Sequence, residues 1–244
     1  ALAACGLASA LATAIGRTGI MGLCGAVDTL SSQAAGAGRL DLLGPIYRRA
    51  ACFMLLHCVP ISILWLSTAW WLPRVTNPAV GRLTAKYLAI LMGDLVATAV
   101  WRPMGRVLAS QRITWPMMAT AALVLPVHWG MTRLLVKQHG VLGGAVATSL
   151  TSLGNTLILA VFVALLGRGH TIWGGDRSVR ALKEAGIGWR ALARLAYPSA
   201  AMRVMESWGF SGMVSASALL PAAAQQLDVM SLSLNIYMVV FMPF

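Results

Sequence analysis

The chain of 244 residues is strongly apolar: 58% of its residues are hydrophobic, 11% are charged, and its mean hydropathy is +0.75. A soluble domain carries about 25% charged residues, so this composition argues against a soluble globular protein, a disordered chain and a disulfide-stapled secreted domain. Continuous apolar runs favour membrane helices over the alternating strands of a membrane barrel. The sequence therefore predicts an all-α, multi-pass membrane protein.

Seven apolar segments are long enough to cross a bilayer core, which takes about 20 helical residues. In chain order they cover 4–29, 50–72, 84–101, 114–136, 141–167, 195–220 and 228–244. The predicted connections are Ser31–Arg49, Pro73–Gly81, Arg102–Arg112, Lys137–Gly140, Arg168–Arg194 and Pro221–Leu227. Arg168–Arg194 is the longest and most charged of them, and within it Val179–Ala185 is polar enough to form a short helix on the membrane surface. This connection is predicted to link two halves of the fold.

Basic residues are distributed unequally between the two sides of these segments. One side carries 12 Lys and Arg residues and the other carries 5. The positive-inside rule places the richer side in the cytoplasm, which accounts for the net charge of +12 without a nucleic-acid partner. The first segment then begins outside. Since position 1 is not Met and segment 228–244 ends without a polar flank, we expect helices to be missing at both ends.

Charged residues inside membrane segments indicate function, because each costs about 2.5–3.5 kcal/mol to insert at the centre. Arg17, Asp94, Arg203 and Glu206 are in this position. Glu206 follows Pro198, which favours a helix bend, and a carboxyl group in a partly dry cavity can bind and release protons. Alternatively, Arg203 pairs with Glu206 on the same helix face and keeps it charged. Asp94 is likewise either a second proton or cation site or the ion-pair partner of Arg17.

Enzymatic and metal-binding functions have weaker support. Residues Gly209–Gly212 have the form of an intramembrane serine protease motif, but no histidine follows His170, so Ser211 has no downstream base. The histidines are scattered without metal-ligand spacing. We therefore expect neither an enzyme nor a metal site.

Several separated motifs occur in a fixed order along the chain. The first is the run Gly25–Arg39, which includes Asp28, Thr29, Gln33 and Gly36. It is followed by Leu108–Pro116, by Leu142–Ser149 with Asn155, by Tyr197–Met202 with Pro198, by Glu206–Trp208 and by Phe241–Phe244. Together these motifs resemble the multidrug and toxic compound extrusion (MATE) family, in particular its plant-type branch.

The resemblance implies a fold of twelve helices in two lobes around a cavity, with the seven predicted segments as helices two to eight. Residues 1–167 would then belong to the first lobe, 168–194 to a cytoplasmic link and 195–244 to the second lobe. Because so much of the family fold is not covered, the remainder of the fold is itself an expected partner.

The activity implied is export of organic cations, drugs and secondary metabolites in exchange for protons or sodium. It implies a small-molecule substrate, surrounding membrane lipid, no bound cofactor, and a place in the plasma or vacuolar membrane. Glu206 falls on the helix-seven glutamate that the plant-type branch uses for proton coupling, with Arg203 beside it as a modulator. Asp94, Arg17 and Asn155 are expected to contribute to the cavity or to an ion site.

Three residues depart from the family pattern. Ser211 stands where a second acid is frequent, while Arg203 and Arg17 replace apolar residues. Positive charge in the cavity repels cationic cargo and suits phosphate head groups. A lipid-linked sugar flippase of the same superfamily is therefore one alternative. A second is a non-transporting membrane fragment, since these segments alone cannot enclose a two-lobed cavity.

Overall fold

The computed structural model describes residues 2–167, 172, 188–217, 229–230, 232–233 and 236. Throughout these ranges the regular secondary structure is helical. Five helical segments are long and apolar enough to cross a membrane, and they cover Ala4–Gly36, Leu40–Val75, Pro78–Ser110, Trp115–His139 and Val141–Leu165. The predicted all-α membrane architecture is thus confirmed for the part of the chain described.

The first membrane segment is not a uniform α-helix. It consists of α1 (Leu2–Leu11), a π-helical stretch (Ala12–Arg17), α2 (Thr18–Leu23) and α3 (Gly25–Gly36). A π-helical turn holds an extra residue and rotates the side chains that follow it, and such turns are frequent at functional sites. Here the wide turn ends on a charged residue, Arg17.

Longer helices follow: α4 (Leu43–Val75), α5 (Pro78–Ser110), α6 (Trp115–His139), α7 (Val141–Leu165) and α8 (Trp189–Ser217). Two of the turns between these helices are short, and residues suited to helix ends form them. Asn77 accepts a hydrogen bond from the backbone N–H of Ala79 at 3.0 Å, and Pro78 occupies the first turn of α5, where its missing N–H costs nothing. Between α6 and α7, Gly140 has a φ of +62°, which favours glycine.

Helix α5 lies at the centre of the packing. It contacts α4 on one side and α7 on another, and α6 packs against α7. The buried core at this centre is formed by large side chains such as Leu88, Leu91, Leu95 and Met104, all on α5. By contrast, α6 exposes Met118, Leu125 and Leu134, as expected for a face turned toward lipid.

The helices extend beyond the predicted segments, so the predicted connection Arg102–Arg112 is mostly helical and the turn lies at its end. Arg102 and Arg106 were assigned to a basic link, but α5 continues to Ser110 and carries both of them. Long arginine side chains can remain in a membrane helix when their charged ends reach a partner or the interface. Arg106 does so, since it pairs with an aspartate of α3.

The C-terminal predictions are tested only in part. Helix α8 begins at Trp189, inside the predicted link 168–194, and extends through most of predicted segment 195–220. It has the length of a membrane helix but is not among the five apolar segments. The predicted surface helix Val179–Ala185 lies outside the described residues, as does most of segment 228–244. The division into two lobes remains a prediction.

Candidate functional site

An ion pair joins the first membrane segment to α5. The Nη2 atom of Arg17 lies 2.6 Å from Oδ2 of Asp94, and its Nε donates a hydrogen bond to the same oxygen at 2.8 Å. The side chain of Asp94 is 6% exposed and that of Arg17 is 31% exposed. The sequence leaves two roles open for Asp94, an ion site or an ion pair with Arg17. The contacts in the structure are those of the ion pair. A buried carboxylate needs such a partner to stay charged.

A third helix completes the coordination of Asp94. The hydroxyl of Ser152, on α7, donates a hydrogen bond to Oδ1 of Asp94. One turn further along α7, Asn155 lines a cavity of about 320 Å³ together with Ser152. The remaining lining residues are Trp101, Met117, Thr120, Ala121, Val124, Leu125, His128, Thr148, Thr151 and Leu159. Ser152 thus binds Asp94 and lines the same cavity as Asn155.

The second predicted pair lies on α8. Nη1 of Arg203 is 2.9 Å from Oε2 of Glu206, three residues later on the same helix. Both side chains are half exposed, at 41% and 51%. Glu206 is thus accessible to water or cargo and also next to a cation. Pro198 lies on α8 two turns earlier, on the exposed side of the helix.

Close backbone contact holds α8 against the first membrane segment. A Cβ atom added to Gly22 would come within 2.5 Å of the Ala200 backbone, and one added to Gly25 would overlap the Ser199 hydroxyl. Beside this contact, the indole N–H of Trp208 donates to the carbonyl of Ala14 at 3.3 Å. The glycines let the two helices approach, as small residues do at membrane helix interfaces.

The residues of the predicted family motif at the end of the first segment lie in two kinds of environment, ion pairs or hydrogen bonds and cavity walls. Asp28 pairs with Arg106 of α5 at 3.5 Å, so it anchors α3 to the end of that helix. Thr29 donates to the carbonyl of Gly25 at 3.2 Å. Gln33 lines a second cavity, of about 470 Å³, and Gly36 lines a third, of about 570 Å³. These residues are dispersed around α3 and do not form one site with Asp94.

Arg102 and Trp101 of α5 are additions to the site that the sequence did not single out. The guanidinium of Arg102 lies over the Trp101 ring, 4.8 Å from its centroid. The Nε atom of Arg102 and the Nε1 atom of Trp101 are both buried and have no hydrogen-bond partner among the residues that the structure describes. The sequence predicts a loop at Arg102, and an arginine in a loop gives no sign of a functional role. Arg102 is therefore not among the predicted site residues.

Comparison with known proteins identifies the fold and family. A family model described as MatE matches residues 1–132. The chain belongs to the MatE family. It also superposes on a crystal structure of the eukaryotic MATE transporter AtDTX14 with a TM-score of 0.82 and 24% sequence identity, over 96% of this chain and 52% of that one. The predicted family and fold class are thereby confirmed, and this MatE chain is an integral membrane protein.

Curated relatives cover nearly all of this MatE chain. The protein DETOXIFICATION 13 of Arabidopsis thaliana is 31% identical over 96% of the chain and 48% of its own length. DETOXIFICATION 16 of the same plant is 29% identical over 96% and 48%. Multidrug and toxin extrusion protein 1 of Oryctolagus cuniculus is 33% identical over 84% of the chain and 36% of its own length. The chain spans about half the length of the curated plant relatives it matches.

Proposed function

We propose that this chain is the cargo-handling first part of a secondary transporter that exports small organic compounds in exchange for protons. Its similarity to proteins named for detoxification and for multidrug and toxin extrusion supports export of drugs, organic cations or secondary metabolites. We place the transporter in the plasma or vacuolar membrane, where such export removes compounds from the cytoplasm.

The half-exposed carboxylate of Glu206 is the observation that supports proton exchange best. Proton coupling needs a group that is reached alternately from two sides and that changes charge when it binds a proton. Asp94 is less suited, because it is almost fully buried and bound on both oxygens by Arg17 and Ser152. Glu206 is open on one side and is held by one guanidinium, that of Arg203.

Arg203 and the transported proton are alternative partners of the Glu206 carboxylate in the transport cycle. When Glu206 is charged, it pairs with Arg203 across one helical turn. When Glu206 takes up a proton, Arg203 is released and the local charge rises by one unit. We infer that this change in charge is what couples proton binding to the handling of cargo between α8 and the first membrane segment.

The experiment is proton-driven transport by the full-length protein in sealed vesicles. Glu206→Gln keeps the size and shape of the side chain but carries no charge and cannot bind a proton. We expect it to lose at least 90% of the tetraethylammonium movement driven by a pH gradient, while the amount of protein in the membrane stays the same. Asp41→Asn is the matched control, since Asp41 forms an exposed ion pair with Arg39 outside the site. Equal transport by wild type and Glu206→Gln would remove Glu206 from the mechanism.

A further inference from the structure

Two sequence motifs to which the proposed transport function gives no role meet at one end of the protein. They are Gly25–Arg39, which contains α3, and Leu108–Pro116, which joins α5 to α6. Between them lies the cavity of about 570 Å³ that Gly36 lines. The other lining residues are Ser32, Ala35, Leu40, Ser110, Gln111 and Arg112. All of them except Leu40 belong to the two motifs, so the motifs build this cavity together.

Arg112 provides the charge of this cavity and has a strained backbone. Of the lining residues that the structure describes, it alone is charged, and its guanidinium has no ion-pair, hydrogen-bond or ring partner in the described part of the chain. Its φ is +60°, in a helix-ending turn closed by a 3.1 Å hydrogen bond from the N–H of Ile113 to the carbonyl of Leu108. Glycine is the usual residue at this position of such a turn. Strain of this kind is frequent where a side chain has a function, and an unpaired guanidinium suits a phosphate group.

Other groups at the cavity favour positive charge. Helices α3 and α5 both end on a lining residue, Gly36 and Ser110 respectively. A helix C-terminus carries about half a negative charge, and neither of these terminal carbonyls accepts a hydrogen bond from the described backbone that follows it. Gln111 donates through Nε2 to the carbonyl of Val107 at 3.2 Å, while its buried Oε1 has no partner among the described residues. These oxygens are acceptors suited to an ammonium group, and they disfavour a simple anion.

The cavity lies beside a surface that faces lipid. Trp115, three residues after Arg112, begins α6 and is 49% exposed. Exposed tryptophans at the ends of membrane helices lie at the level of the lipid headgroups. One turn further along α6, Met118 is 71% exposed on the apolar face of that helix. A lipid whose headgroup enters the cavity can therefore lay its acyl chains along α6, whereas a soluble ligand gains nothing from that face.

We propose that this cavity binds the headgroup of phosphatidylethanolamine, with the phosphate on Arg112 and the ammonium on the acceptors at the ends of α3 and α5. A headgroup with both charges matches a site that combines one guanidinium with two helix C-termini. Phosphatidylcholine has the same two charges, but its nitrogen carries no hydrogen to donate. Phosphatidic acid has the phosphate without the ammonium. The bound lipid connects α3 to the turn between α5 and α6, and this role does not depend on the transport function proposed above.

The experiment measures lipid binding to the delipidated full-length protein in detergent, by native mass spectrometry and by thermal unfolding. The lipid probes are phosphatidylethanolamine, phosphatidylcholine and phosphatidic acid with identical acyl chains. Glycerophosphoethanolamine is the soluble probe, because it has the same headgroup without the chains. We expect phosphatidylethanolamine to bind about fivefold more tightly than phosphatidylcholine, which leaves the acceptors unpaired. We expect glycerophosphoethanolamine to bind at least about tenfold more weakly than the lipid, since it buries no acyl chain.

Variants of Arg112 test whether this residue holds the phosphate. Arg112→Gln removes the charge and should weaken phosphatidylethanolamine binding about tenfold. The matched control is Arg82→Gln, which should bind like wild type, because Arg82 is also exposed but lies near the other end of α5. Arg112→Gly relieves the backbone strain and should raise the unfolding temperature of the lipid-free protein, yet it should lose the stabilisation by lipid. A merely structural role of Arg112 gives the reverse pattern, a lower unfolding temperature with the lipid effect retained.

Each outcome supports or overturns the lipid site. Equal binding of phosphatidylethanolamine and phosphatidylcholine overturns it, as does unchanged binding in both Arg112→Gln and Arg112→Gly. Tighter binding of phosphatidic acid shows a simple anion site, and equally tight glycerophosphoethanolamine shows a soluble ligand, so both contradict the proposal. If neither variant accumulates, the order of the probes on wild type decides. Arg112-dependent binding of phosphatidylethanolamine by a protein that moves no cargo contradicts the transport function and leaves the lipid site standing.

Discussion

Arg17 and Asp94 lie 77 positions apart in the chain, yet their side chains meet at 2.6 Å between the first membrane segment and α5. Arg17 is the last residue of the π-helical turn in that segment. The hydroxyl of Ser152 binds the other carboxylate oxygen, so three elements converge on one buried acid. This junction fixes the relative position of the helices that surround the candidate site.

Breaking this pair from one side should cost more than removing it altogether. Asp94→Asn leaves Arg17 charged and unpaired, and loss of one partner of a buried pair costs about 3–5 kcal/mol. The double variant Arg17→Met with Asp94→Leu leaves no unpaired charge and should recover most of this loss. Thermal unfolding of the purified full-length protein measures both. A double variant less stable than Asp94→Asn would show that the pair does more than neutralise a charge.

The pair on α8 offers a test that separates structure from proton coupling. Exchanging the two residues, Arg203→Glu with Glu206→Arg, keeps opposite charges three residues apart on the same face. Since the pair is half exposed, the exchange should alter stability by less than about 1 kcal/mol. The carboxylate, however, moves by nearly one helical turn, so proton-driven uptake in vesicles should fall as far as in Glu206→Gln. Full transport by the exchanged variant would mean that the position of the carboxylate is unimportant.

The sequence predicted the family, the helical architecture and the residues Arg17, Asp94, Asn155, Arg203 and Glu206 as candidates. It could not choose between a functional and a paired role for Asp94, because the choice depends on which helix faces which. Arg102 was misplaced for a related reason. A basic residue near the end of an apolar segment looks like a loop residue until the helix is seen to continue to Ser110.

A hydrogen bond between His57 of α4 and Tyr197 of α8 is expected to stabilise the packing of these two helices beside Pro198. Nδ1 of His57 lies 2.8 Å from the carbonyl of Phe53, which can only accept, so Nδ1 carries the proton. In the neutral ring Nε2 then accepts from the hydroxyl of Tyr197 at 3.1 Å. Tyr197→Phe removes this bond and keeps the ring contact with Phe53, so it should cost about 1 kcal/mol.

A double-mutant cycle with His57→Ala and Tyr197→Phe isolates this contribution. The two changes should be less than additive in thermal unfolding, because each removes the same hydrogen bond. Cys52→Ala, on the same helix as His57, serves as the variant expected to be additive with Tyr197→Phe. Additive effects of the His57 and Tyr197 changes would show that the two side chains do not interact in solution.

Two glycines on α2 provide a matched pair for testing the contact with α8. A Cβ atom at Gly22 would meet the Ala200 backbone at 2.5 Å, whereas one at Gly19 has nothing within 4 Å. Gly22→Ala should therefore push α8 away and destabilise the protein by about 1–3 kcal/mol, as overpacking does. Gly19→Ala meets no neighbour and should be neutral or stabilise by up to about 1 kcal/mol, because alanine favours the helix.

Thermal unfolding of the full-length protein in detergent compares the two variants under the same conditions. Transport gives a second readout, since α8 carries Glu206, the residue proposed to couple proton binding to transport. We expect Gly22→Ala to lose proton-driven transport and Gly19→Ala to keep it. Similar behaviour of the two variants would mean that α8 does not pack on α2 in the working protein, and the coupling proposed between Glu206 and the first segment would have to be abandoned.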